Sequence, residues 1–209
     1  SDTEYSQAHQ RELFGQAVAY ASKVEGKYKL LDRYCDNWSV DKKLGNAELI
    51  FTVEHKFGIN RNVIGRCVLS TGFTNDKQPV IAALDNSLYD LFDANDQRRD
   101  ASVTKRLYDP FTSHWFDFDR IRFRKYIDTI EMAKYSAPYI SGQNTSSSVL
   151  RYAEVLLIKA EAENELNGPT ETAYKAINEV RRRAFYDSYA QIQRAPADGS
   201  KTELAGLSQ

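Results

Sequence analysis

The chain has 209 residues, 28 Lys and Arg against 29 Asp and Glu, a net charge of -1 and 12% aromatic residues. That length buries one substantial core, or one core with a smaller subdomain. The balanced charge excludes the concentrated positive face of a nucleic-acid binder, and no apolar stretch reaches the length of a membrane span.

In residues 7–31, Phe14, Ala17, Val18, Ala21, Val24 and Tyr28 recur at helical spacing, which predicts a helix over that stretch. A loop follows over 32–46. Leu49, Phe51, Val53 and Phe57 then alternate with Ile50, Thr52, Glu54 and Lys56, predicting a strand whose apolar face is the first set. His55 falls on that strand and reads as a satisfied core or edge histidine. A polar, Gly-containing stretch covers 58–78. Leu84, Leu88, Leu91 and Phe92 mark a short helix that Asp85 or Ser87 can cap. Residues 101–108 and 120–127 read as strands, the second with Ile121, Phe123, Lys125 and Ile127 opposed to Arg122, Arg124 and Tyr126. Residues 136–148 form a polar loop.

Two amphipathic helices follow. Leu150, Ala153, Leu157 and Ala160 make an apolar stripe in the first. Asn167-Gly168-Pro169 stops it, and Thr170 caps a second helix striped by Ala173, Ile177, Val180 and Ala184. A short loop between striped helices makes an antiparallel hairpin, resembling one unit of a tetratricopeptide array with its period of about 34 residues. Arg181-Arg182-Arg183 reads as a solvated face near a helix C-terminus. Arg151 and Glu154 read as local ion-pair residues. The tail 186–209 is polar. The fold class is therefore mainly α: a tetratricopeptide-like hairpin and an N-terminal helix, with a small strand-and-loop subdomain in the middle.

No nucleophile triad, phosphate-cradling glycine loop or zinc motif is present, and neither a cofactor nor a metal is expected. His9, His55 and His114 lie far apart without partners at ligand spacing. Asp93-x-Asn95-x-Gln97 is not a calcium loop, because Arg98 stands where Gly is needed and Thr104 where Glu is needed. Asp96, Arg98 and Arg99 read instead as a local charge network. Cys35 and Cys67 show neither metal nor redox spacing, and leave open whether they pair.

The best candidate site is the aromatic connection from Asp109 to Asp119. If 115–119 is extended, Trp115, Asp117 and Asp119 share one face, while Phe116 and Phe118 share the other. An indole offers a flat apolar platform to a sugar ring, and carboxylates accept from its hydroxyls. His114 adjoins this set. Two readings stand open: the rings plug a small core, or Trp115 meets a ligand. Asp117 and Asp119 do not suit a glycosidase pair, since alternate side chains on one strand stand about 6.5–7 Å apart on one wall, whereas hydrolysis needs carboxyls on opposite sides of the bond. Trp38, in a polar loop, is a second candidate, either packed or used. Tyr108, Tyr139, Gln143 and Asn144 are weaker ones.

Arg151-Tyr152-Ala153-Glu154-Val155-Leu156-Leu157, Ala160-Glu161-Ala162, Asn164-Glu165-Leu166 and Ile177-Asn178-x-Val180-Arg181-x-Arg183-Ala184 closely resemble the SusD/RagB family. Asn46-x-Glu48-x-Ile50-Phe51, Leu88-Tyr89-Asp90-x-Phe92-x-x-Asn95-Asp96-x-Arg98-Arg99-Asp100 and Lys125-Tyr126-Ile127-Asp128 extend the resemblance in the family's order. It implies a glycan-binding lipoprotein at the outer-membrane surface of Bacteroidetes-type bacteria, partnered by a SusC-type TonB-dependent transporter. By the same resemblance, 1–209 is one partial domain and an internal segment of a longer protein, with the lipid anchor outside it. Residues 1–34 would pack with the repeat part, 35–148 would form the recognition part and 149–185 the hairpin. The competing reading is a protein-interaction scaffold built on the tetratricopeptide-like helices.

Overall fold

Among the described residues, three helices start at a short polar side chain that caps them, Ser6, Asp96 and Thr170, and one ends at Gly168. The structure is a computed structural model that describes residues 6–56, 59, 60, 62, 85–110, 112–127, 144–187 and 192–194. In chain order the elements are α1 (Gln7–Val24), two short 3-10 helices (Tyr34–Trp38 and Val40–Lys42), β1 (Leu49–Val53), α2 (Ser87–Asp90) and α3 (Gln97–Ser102). Then come β2 (Val103–Asp109), β3 (His114–Phe123), β4 (Ser147–Arg151), α4 (Tyr152–Asn167), α5 (Glu171–Ala184), β5 (Tyr186–Asp187) and β6 (Ile192–Gln193).

Ser6 Oγ accepts the His9 N–H at the start of α1. α1 stops at Val24 rather than at 31, because Glu25 leaves helical angles. Tyr28 and Leu30 still pack on the helical core from outside the helix. The predicted loop 32–46 contains the two 3-10 helices.

α4 lies between α1 and α5. Ala21, Ala153, Ala160 and Ala176 keep the side chains small where these helices meet, and Tyr152, Val155, Leu156 and Val180 complete the core. Burial on two flanks explains why α4 departs from a single stripe: Leu156 is buried, whereas Leu157 is 44% exposed. Gly168 ends α4 at φ +76°, and Thr170 Oγ1 accepts the Ala173 N–H to open α5, as its sequence predicts. α5 buries Ala173, Ala176, Val180 and Ala184, with Ile177 partly buried against the core.

β1 pairs antiparallel with β4, so Leu150 belongs to a strand and not to the first turn of α4. Register shifts on either side of Phe51 reverse the predicted facing of β1. Ile50 packs on the core, while Phe51 and Val53 are exposed. His55 is satisfied at the edge, its ring nitrogens meeting Asn60 O at 2.8 Å and Ser147 Oγ at 3.2 Å.

One buried carboxylate joins the layers. Glu48 is fully buried, and its Oε1 accepts from Arg151 Nη1 and its Oε2 from Arg183 Nη1, both at 2.7 Å. Oε2 also accepts from the Leu31 N–H and Asn37 Nδ2. Arg151 therefore pairs far along the chain rather than with Glu154, and Arg183 is buried rather than part of a solvated basic face. A buried carboxylate needs such partners to stay in place. Gln97 performs a similar task with an uncharged amide, donating to Asp32 O and Tyr186 O while its Oε1 accepts from the Tyr34 N–H.

In the middle of the chain, the predicted strands shift. α3 takes residues up to Ser102, and the second strand begins at His114, not at 120. β2 and β3 form an antiparallel hairpin whose turn is held by Thr112 Oγ1 donating to the buried Asp109 carboxylate at 2.7 Å. Thr104 faces Arg122, yet Arg106 faces Asp117, so residues 118–121 form an extra length opposite Lys105. Asp85 Oδ1 accepts the Ser87 N–H before α2. Asp96 binds Arg98, and Arg99 binds Asp100, forming the local network that the sequence suggests. Cys35 is a half-buried free thiol, and Cys67 lies outside the described residues.

Candidate functional site

Strand alternation assembles an aromatic surface on one face of the β2–β3 hairpin. Arg106 and Tyr108 project from β2 on the side where Trp115 and Asp117 project from β3, through the cross-strand pairs Arg106–Asp117 and Tyr108–Trp115. The Tyr108 and Trp115 ring centroids stand 5.1 Å apart with their planes at 48°. Trp115 is 49% exposed. On the reverse face, Phe116 and Phe118 pack against Leu107 and Ile127, which anchors the hairpin as the alternation predicts.

These rings border a cleft of about 810 Å³, lined also by Tyr89, Thr104, Lys105, Arg106, Pro110 and Arg124. Two of its rings already carry cations. The Arg106 guanidinium lies 4.4 Å from the Trp115 ring centroid and is steadied by Asp117 at 3.2 Å. Lys105 Nζ lies 4.4 Å from the Tyr89 ring centroid. The Tyr89 hydroxyl donates to Asp100 Oδ1 at 3.1 Å; desolvation, with the Asp100 charge, pushes the Tyr89 pKa up. A second cavity, of about 300 Å³ beside Cys35, has charged side chains for half of its lining and no indole. Among the described residues, no cluster of three or more His, Cys, Asp or Glu is placed to hold a metal.

The predicted residues separate into groups. Trp115 and Tyr108 meet at the cleft, and Asp117 sits beside it through Arg106. Asp119 lies in the extra length of β3 and pairs with Arg122 at 2.7 Å, outside the cleft lining. His114 stacks edge-on against Phe116 at 5.0 Å, on the face away from Trp115. Trp38 is not a surface platform. It is only 6% exposed, packed edge-on against Tyr34 at 4.6 Å and grouped with Ala101. Asn144 lies outside the cleft lining, its backbone oxygen accepting from Lys43 Nζ. Tyr139 and Gln143 fall outside the described residues. Tyr89, Lys105, Arg106 and Arg124 are additions that the sequence reading missed. The alternation of Thr104, Arg106 and Tyr108 against Val103 and Leu107 carried a signal for Arg106.

The profile of the SusD family matches residues 82–205. The chain belongs to the SusD family. The matched segment runs from just before α2 through β6, so the cleft and the α4–α5 hairpin fall within it. Solved structures extend the SusD likeness over most of the chain. A SusD superfamily protein from Parabacteroides distasonis shares 16% identity at a TM-score of 0.67, covering 92% of this chain and 42% of its own. A SusD-like protein from Bacteroides fragilis shares 22% at 0.66, covering 84% and 44%. Surface glycan-binding protein A from Bacteroides thetaiotaomicron, solved in complex with laminarihexaose, shares 17% at 0.61, covering 85% and 44%. At such identities the likeness is one of fold, and this chain spans less than half the length of those SusD-like proteins. A comparison with curated proteins returns no match.

Proposed function

We propose that this SusD-family chain is a non-catalytic glycan-binding protein, and that the Tyr108–Trp115 cleft is its contact surface. The supporting observation is the half-exposed indole, set on a hairpin whose opposite face is committed to packing. A rigid ring beside hydrogen-bonding groups suits a sugar, which presents an apolar C–H face and a rim of hydroxyls. Asp117, paired with Arg106, stands beside the cleft, while Asp119 pairs with Arg122 outside it, so the two do not face one bond as a hydrolytic pair would. Family membership, and the glycan-binding protein among the solved structures of like fold, support the same reading.

In this reading the α4–α5 hairpin is a tetratricopeptide-like unit that serves as scaffold. The protein works at the outer-membrane surface, tethered through a lipid outside this chain, and hands glycan to a SusC-type TonB-dependent transporter. The interaction-scaffold alternative would place the working surface on the helices, and the exposure of Trp115 favours the cleft. Native gel electrophoresis through immobilised glycan tests the reading. Trp115→Ala should lose the retardation shown by the unaltered chain on a glycan that it binds, and equal retardation of the two would sink the assignment.

A further inference from the structure

The charges around the aromatic cleft are unequal. Lys105, Arg106 and Arg124 line it against a single carboxylate, Asp100. Asp100 is already engaged by Arg99, through Nε and Nη2 at 3.1 Å each, and by the Tyr89 hydroxyl. Its negative charge is thus answered by an arginine outside the lining. Lys105 meets Asp90 at 3.7 Å and Arg106 meets Asp117 at 3.2 Å, but all four side chains are about half exposed or more. Pairs of that kind are screened by water and exchange partners at small cost. Arg124 has no carboxylate partner among the described residues. Its Nη1 donates to the Asp100 backbone oxygen at 3.3 Å, which leaves most of a planar five-donor fork for another acceptor.

A neutral sugar chain lying on Tyr108 and Trp115 would displace water from these cations and return no opposite charge. That desolvation is a cost against neutral ligands. A chain with negative groups would repay it, and its charge would also be drawn towards the cleft before contact. We infer that the cleft selects an anionic glycan, one whose rings carry carboxylate or sulfate groups. Tyr108 and Trp115 take the ring face, while Arg124 and Lys105 take the charge. The inference rests on the glycan-binding reading and adds the ligand's charge to it.

A glycan array carrying neutral, uronate-bearing and sulfate-bearing chains tests both, followed by affinity gels with polygalacturonate and its uncharged methyl ester, and with carrageenan and agarose. The unaltered chain should prefer charged members over their uncharged counterparts by at least about tenfold, the scale of a hydrogen bond to a charged group. That preference should fade between about 0.01 M and about 1 M salt, as the Debye length falls from about 30 Å to about 3 Å. Retention on polygalacturonate assigns carboxylate, and retention on carrageenan assigns sulfate. Arg124→Gln and the exposed Lys105→Gln should each weaken charged binding, whereas Arg124→Lys should keep part of it. Circular dichroism establishes that each variant folds. Equal or tighter binding of uncharged chains overturns the anionic inference and leaves the glycan reading standing. Binding to no chain of either kind overturns both.

Discussion

Arg183, near the end of α5, donates from Nη1 to Oε2 of Glu48, a residue 135 positions earlier, at 2.7 Å. The two side chains are 5% and 0% exposed. Arg151 takes the other carboxylate oxygen, so β1, β4 and α5 meet on one buried charge. Removing that charge strands the guanidinium of Arg183 away from water. Glu48→Gln should therefore cost about 3–5 kcal/mol, the range for breaking a buried pair. Urea unfolding followed by circular dichroism measures it, and a loss under about 1 kcal/mol would show that the pair is not the joint described.

Glycines in this chain give opposite predictions. Gly168 stands at φ +76° and ψ -166°, a region almost closed to other residues, and a Cβ there would meet nothing within 4 Å. Gly168→Ala should destabilise by about 1–3 kcal/mol through backbone strain alone. Gly15, within α1, also has open space around it. Gly15→Ala should stabilise by about 0.5–1 kcal/mol, because alanine loses less freedom in a helix. Parallel denaturation curves that fail to move in opposite directions would contradict the pair.

Glu179 on α5 has its pKa raised, chiefly by desolvation and further by Glu25, against a lowering by Arg182. Below the unfolded carboxyl's pKa both states hold the proton, and the group adds no pH dependence. As pH climbs from the unfolded carboxyl's pKa to the higher folded one, the unfolded chain releases its proton first, and stability is lost across that interval. The unfolding midpoint of Glu179→Gln should match that of the unaltered chain at acid pH and exceed it at neutral pH. A constant difference across the range would rule the effect out.

The two faces of β3 should separate by mutation. Trp115→Ala should change stability by less than about 1 kcal/mol, since a half-exposed surface ring contributes little to folding. Phe116→Ala, against Leu107 and Ile127, should cost more than that, though less than the about 3–5 kcal/mol of a fully buried phenylalanine. Thermal melts of both variants beside glycan retardation make the comparison. A destabilised Trp115→Ala would mean that the indole serves packing.

Local chemistry was legible in the sequence, and distant pairing was not. Gly168 and Thr170 announce the α4–α5 junction because each acts within a few residues. The two-faced pattern of 115–118 likewise survives in β3. The start of β3 was hidden because Ser113, at φ +56°, makes the turn without a glycine to mark it. Trp38 looked costly in a polar loop only because Ala101, one of its covering residues, lies far along the chain. Arg183 looked solvated in a run of arginines for the same reason. Part of the cleft was invisible too, since Tyr89 and Arg124 reach it from outside β2 and β3.

The Glu48 joint also sets an order of assembly during synthesis. Arg183 is made 135 residues after Glu48, which is about 10 s at ribosomal rates. Until then Glu48 lacks one of its two guanidinium partners, and its Oε2 has only the neutral donors of Leu31 and Asn37. α5, made after both β1 and β4, therefore completes the set of charges around Glu48.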